Sequence, residues 1–116
     1  MAKSNKPPLT DRDNLSLTEV LHALSDPVRL EIVRQLDEAG EKACGKFGLD
    51  MPKSSLSHHF RILRQSGVIA SEGQGTILMN RLCWKELETR FPNLIESILA
   101  GVRSEQRRPA RGRTKK

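Results

Sequence analysis

Lys53, Ser54, Ser57, His58, Arg61 and Arg64 fall within one short stretch of the chain, and no Asp or Glu occurs between Asp50 and Glu72. Hydroxyls, an imidazole, ammonium and guanidinium groups without nearby carboxylates suit an anionic partner. The same groups can donate to phosphate oxygens and to base edges. Two further groups could do chemistry. Cys44 and Cys83 are the only cysteines, and Cys44 stands between Lys42 and Lys46. Cationic neighbours lower a thiol pKa when the thiol is exposed, so Cys44 is the better candidate for a redox or reactive-sulfur sensor, with Cys83 as its partner. The alternative is that both are small buried residues.

Catalysis finds no support. There is no Gly-rich phosphate loop, no nucleophile beside a plausible base and no purposeful carboxylate pair, so an enzyme is not expected. Metal binding is not expected either. His58 and His59 are adjacent, and adjacent helical residues point about 100° apart.

The elements that must carry the polar cluster follow from periodicity and capping. Ser16 with Glu19 forms a capping-box pattern ahead of Leu17, Val20, Leu21 and Leu24. Asp26 and Pro27 suit the N-cap and first position of a second helix, which carries Val28, Leu30, Ile32, Val33 and Leu36 and stops near Gly40. Glycines and Pro52 break residues 40–52, with a short helix expected over Cys44 to Leu49. A helix is predicted from Lys53 to Gln65, ended by Ser66-Gly67. On it Phe60 and Leu63 lie within about 40° of Leu56, while Ser54, Ser57, His58, Arg61 and Gln65 point the other way. His59 flanks the buried stripe and is expected to pack and hydrogen-bond rather than contact a partner. Val68-Ile69-Ala70 and Thr76-Ile77-Leu78-Met79 flank a turn at Gly73-Gln74-Gly75, which predicts a hairpin. The last element runs from Trp84 to Val102, and Pro92 should split it in two.

A glycine-broken segment, a polar-faced helix and a hairpin in that order describe a mainly α fold with a small β-hairpin wing, the winged helix-turn-helix. The divisions expected are an arm over residues 1–14, a domain over 15–102 and a basic tail over 103–116, with both ends disordered. Charge follows the same divisions. Residues 1–102 hold 13 Lys and Arg against 13 Asp and Glu, whereas the last 14 residues hold seven against one, which accounts for the net +6. A basic total is thus a property of the tail, which can neutralise phosphates without reading sequence. Four aromatics, Phe47, Phe60, Trp84 and Phe91, are few for stacking single-stranded bases. No apolar run is long enough to span a bilayer, and no secretory signal is evident, so a cytoplasmic protein is expected.

The stretch Ala23-Leu24-Ser25-Asp26-Pro27-Val28-Arg29-Leu30-Glu31-Ile32, followed by Lys53 to Ile69 with its Leu-Ser-His-His-Phe and Leu-Arg-Gln-Ser-Gly-Val-Ile blocks, resembles the ArsR/SmtB-type regulators. The resemblance covers residues 15–102. It implies a homodimer built from the first and last helices that represses a promoter until a signal releases it. Leu17 and Leu21, with Leu94, Ile95, Ile98 and Leu99, are then the expected dimer interface. The implied partners are a second copy of the chain and double-stranded DNA with a palindromic operator. Ser54, Ser57, His58 and Arg61 are expected in the major groove, with Lys53, Arg64 and Gln74 flanking. Residues 41–46 hold one cysteine where many members carry Cys-x-Cys, and the last helix has Glu96 and Glu105 but no His. No metal or cofactor is expected. The effector, small molecule or redox, is not specified by the residues. Two alternatives stand beside this function: a thiol-sensing repressor using Cys44 and Cys83, and a protein-interaction module whose DNA affinity lies in the tail alone.

Overall fold

The computed structural model describes residues 15–107, so the N-terminal arm and residues 108–116 of the tail lie outside the described residues. In chain order the elements are α1 (Leu17–Ala23), α2 (Pro27–Ala39), β1 (Glu41–Ala43), a 3-10 turn (Cys44–Lys46), α3 (Lys53–Gln65), β2 (Ile69–Gln74), β3 (Ile77–Leu82), α4 (Trp84–Arg90) and α5 (Leu94–Arg107).

Each boundary has a local cause. Ser16 Oγ accepts from the Glu19 amide at 3.4 Å and starts α1. Asp26 Oδ1 accepts from the amides of Val28 (2.7 Å) and Arg29 (3.1 Å), with Pro27 at the first position of α2. Burial pushes the Asp26 carboxyl up, but those two amides and the nearby His59 and Arg29 charges outweigh it and leave its pKa below the usual value. Gly40, with φ 84°, closes α2 in a conformation that a side chain would strain.

β2 and β3 form an antiparallel hairpin from Ile69 opposite Leu82 to Gln74 opposite Ile77, so the turn is the pair Gly75-Thr76. Gly73 and Gln74, expected in the turn, belong to β2 instead. Strand β1, which the sequence pattern did not indicate, adds to the outer side of β3 and gives the order β1-β3-β2. The helix expected over Cys44 to Leu49 is only the 3-10 turn. Gly45 and Gly48 disfavour longer helix, and Gly48 takes φ 68°. The split at Pro92 is as expected, with Asn93 at φ 68° and its amide bonded to Glu88 Oε2 at 3.2 Å. α5 runs on to Arg107, five residues past Val102. There Arg103 pairs with Asp37 and Gln106 Nε2 reaches Glu31 Oε1 at 3.3 Å, which tie the added turn to α2.

One core joins every helix to the hairpin: Val20 and Ala23, Ile32, Val33 and Leu36, Phe60 and Leu63, Val68 to Ala70, Leu87, and Ile95 and Leu99. Phe47 meets Phe60 edge-on at 5.2 Å. Each such large side chain contributes about 1.5–3 kcal/mol by leaving water. The α3 stripe is thereby pinned inward, and its other side is turned out.

Candidate nucleic-acid interface

The outer side of α3 is the polar cluster. Lys53, Ser54, Ser57, His58 and Arg61 are all exposed along it, with Gln65 at its end. Arg64 is half-buried and turned toward a cleft that Lys53 and Ser57 also line. The N-cap is Pro52, which makes no side-chain capping hydrogen bond. Lys53 adds a cation beside that positive helix end, an arrangement suited to a phosphate. Gln74 sits on a different element, exposed at the end of β2 next to the hairpin turn. The wing offers Glu72, Gln74 and a 52% exposed Ile77, so its tip is polar and apolar rather than cationic.

A buried arginine that the sequence reading did not single out sets the attitude of α3. Arg29 on α2 is only 6% exposed. Its Nε donates to the Ala23 carbonyl at 2.7 Å and Nη2 to the His22 carbonyl at 3.4 Å, both at the end of α1. Its Nη1 meets His59 Nδ1 on α3 at 3.0 Å. One guanidinium therefore joins three helices. His59, as expected, packs and bonds inward, with Asp26 Oδ1 4.0 Å away. The available signal was position: Arg29 precedes Ile32 by three residues and Leu36 by seven, on the core side of α2.

The base of the wing is pinned the same way. Asn80 has no exposure and Ser71 has almost none. Ser71 Oγ donates to Asn80 Oδ1 at 2.6 Å, and Asn80 Nδ2 donates to the Lys42 carbonyl at 3.1 Å and to Cys44 Sγ at 3.3 Å. All three strands and the cysteine turn meet at this one amide.

The remaining expected residues divide. Leu17 and Leu21, one helical turn apart on α1, are 45% and 44% exposed. Leu94 and Ile98 on α5 are half-buried. Ile95 and Leu99, expected at a dimer interface, are instead 2% and 1% exposed inside the protomer's own core, because Leu94-Ile95 and Ile98-Leu99 are adjacent pairs that face different ways. Neither cysteine is in a disulfide: Cys44 is partly exposed, but Cys83 is wholly buried. Lys42, expected to act on Cys44, directs its ammonium to Gln35 Oε1 at 2.8 Å and lies over the Phe47 ring at 5.3 Å. Among the described residues, no group of three or more His, Cys, Asp or Glu is placed to hold a metal ion, and no helix is long and apolar enough to cross a membrane.

Comparison with known proteins agrees with this architecture. The family model for a helix-turn-helix domain matches residues 24–72, from the end of α1 into β2. An uncharacterized HTH-type transcriptional regulator of Bacillus subtilis, YceK, is 30% identical over 89 residues, covering 74% of this chain and 89% of its own. The HTH-type transcriptional repressor SmtB of Mycobacterium tuberculosis is 36% identical over 66 residues, 55% of this chain and 48% of its own. The solved structure of an ArsR-like transcriptional regulator from Rhodococcus sp. RHA1 superposes with a TM-score of 0.58 at 25% identity, covering 78% of this chain and 84% of that one. With its polar-faced α3, its hairpin wing and these relatives, the chain belongs to the ArsR/SmtB-type winged helix-turn-helix transcriptional regulators, a family of regulators and not of enzymes.

Proposed function

We propose that the chain is a homodimeric, sequence-specific DNA-binding repressor. The observation that carries this function is α3: an exposed row of Ser54, Ser57, His58 and Arg61 on a helix whose opposite stripe is locked into the core. In a duplex, α3 enters the major groove. Arg61 and His58 address base edges, the hydroxyls address bases or phosphates, and Lys53 and Arg64 engage the backbone. Gln74 reaches DNA from the wing. Leu17 and Leu21, with Leu94 and Ile98, supply the dimer contact, and a two-fold pair of α3 helices spans successive grooves about 34–36 Å apart on a palindromic site. The name of the Mycobacterium relative, a transcriptional repressor, supports the direction of control. The working unit in each protomer is residues 15–107, with the remaining tail as an auxiliary polycation.

The test is fluorescence anisotropy on the protein's own upstream promoter and on scrambled duplex at about physiological salt. Full-length protein should prefer the promoter. Arg61→Ala should lower that preference about 5- to 150-fold, the worth of a good base contact, and leave scrambled DNA nearly unaffected. An equal loss on both duplexes would make Arg61 a phosphate contact. Absence of any promoter preference would sink sequence reading by α3 and favour the interaction module.

A further inference from the structure

The Cys44–Lys46 turn, α3 and β3 enclose a cleft of about 360 Å³. Leu56, Phe60 and Leu78 supply apolar wall, while Lys53, Ser57 and Arg64 supply two cations and a hydroxyl. Its remaining lining is Cys44 and Gly45, so no acidic side chain faces it among the described residues. A mostly apolar cavity of this size with a few convergent polar groups is the usual form of a small-ligand site. With the exposed Lys53 ammonium and the Ser57 hydroxyl at its edge, the ligand it suits is a carboxylate with an apolar body of one or two rings. A Cβ on Gly45 would meet nothing within 4 Å, so that position has room for a larger side chain.

We propose that this cleft is an effector site for small apolar monocarboxylates, and that its occupant competes with DNA for Lys53 and Ser57. The apolar body lies against Leu56, Phe60 and Leu78, and the carboxylate takes the Lys53 ammonium and the Ser57 hydroxyl. Both groups belong to the α3 face assigned above to DNA, so the competition half of the proposal rests on that assignment. Coupling to the wing is built in, because Cys44 Sγ accepts from Asn80, the amide on which the three strands converge. A ligand in the cleft touches the recognition helix and the anchor of the wing together. Bound ligand and operator therefore oppose each other, each lowering the affinity for the other by the same factor.

Cys44 is the reporter, because it lines the cleft while Cys83 is wholly buried. The full-length protein is treated with iodoacetamide alone or with benzoate, hexanoate, 1-naphthoate or the neutral 1-naphthalenemethanol, and alkylation of each cysteine is followed by mass spectrometry. At least one acid should slow Cys44 alkylation about tenfold at millimolar concentration, the ordinary range for an unoptimised ligand. The alcohol at equal concentration should not. Lys53→Gln should raise the half-protecting concentration about tenfold, as loss of a charge-assisted contact does. Gly45→Leu should protect Cys44 without ligand; circular dichroism shows whether it folds, and Lys53→Gln decides if it does not. Cys44 labelling unchanged by all three acids, or slowed as much by the alcohol, overturns the site. In parallel, the protecting acid should release promoter DNA over the same concentrations. Protection with DNA still bound overturns the competition. A protein that never prefers its promoter, yet is protected by acid alone, loses the DNA assignment and keeps the site.

Discussion

Arg29→Met should destabilise the fold by about 2–3 kcal/mol, although the residue is absent from any expected binding surface. Methionine keeps an unbranched apolar stem and removes the donors. Of the three hydrogen bonds lost, that to the Ala23 carbonyl is the costly one: it is 2.7 Å long and Ala23 has no exposure, so no water replaces the donor. An orphaned buried acceptor costs about 1–3 kcal/mol. The bond to His59 is 3.0 Å long and part-buried, worth about 0.5–1.5 kcal/mol. The 3.4 Å bond to the carbonyl of exposed His22 adds little, because that oxygen rehydrates. Relief from burying a guanidinium works in the other direction, but it leaves the Asp26 carboxylate with less compensating positive charge. Urea unfolding followed by circular dichroism measures the outcome. With a slope of about 1–1.5 kcal/mol per molar for a domain of this size, the midpoint should fall by about 1.3–3 M. A cycle with His59→Leu should return a coupling of about 0.5–1.5 kcal/mol, since the two side chains touch. A midpoint within about 0.3 M of the parent at unchanged slope would refute the claim that this guanidinium docks α3 onto α1 and α2.

Three further outcomes follow from the same geometry. Leu17→Glu with Leu21→Glu should yield a monomer by sedimentation velocity while the protomer stays folded, because both residues are nearly half exposed; a persistent dimer would place the interface elsewhere. Ile95→Ala should instead lower unfolding free energy by about 2–5 kcal/mol, the cost of emptying a core site, since Ile95 is 2% exposed. Glu31 is held at a pKa of about 2, against an ordinary 4.5, by the Arg34 guanidinium, which outweighs the opposing push of burial and is helped by Gln35. A carboxyl with a depressed folded pKa stabilises the protein above its unfolded value, so this contribution should disappear as pH falls from about 4.5 to about 2, and Glu31→Gln should flatten the stability profile over that window.

How far the sequence revealed the site depended on whether the signal was local. α3 was legible because stripe, polar face and Gly67 stop all lie within one short segment, and α2 because Asp26-Pro27 caps it. β1 was not, because a three-residue strand between Gly40 and a turn has no period, and only its pairing with β3 makes it a strand. The outward and inward halves of the α5 apolar stripe were not separable for a related reason. Adjacent residues such as Leu94 and Ile95 share one pattern in sequence, and the packing of α5 on α2 and α4 decides which is buried. Arg29, Asn80 and Ser71 went unremarked because a buried polar residue shows itself only through partners distant in sequence: Arg29 with His59, Asn80 with Lys42 and Cys44. Those three residues nonetheless set the attitude of α3 and of the wing. The exposed polar face was readable from residue type, and the contacts that orient it were not.

The net positive charge of the chain lies in its last residues, outside the proposed reading face of α3. Residues 15–107 hold twelve Lys and Arg against twelve Asp and Glu, so the folded unit is neutral. Residues 108–116 hold Arg108, Arg111, Arg113, Lys115 and Lys116 and no acid. A phosphate neutralised on duplex DNA contributes about 0.9 to the slope of log affinity against log salt. Deleting residues 108–116 should therefore flatten that slope by up to about 4 per protomer and weaken scrambled and promoter DNA alike. The ratio between the two duplexes should stay within about twofold, because the proposed base reading lies with α3 and not with the tail. The cut falls after Arg107, so the Arg103 pair with Asp37 is kept. If the ratio collapsed along with the affinity, the tail would be the reader, and the ordered face of α3 would need another partner to account for its missing carboxylates.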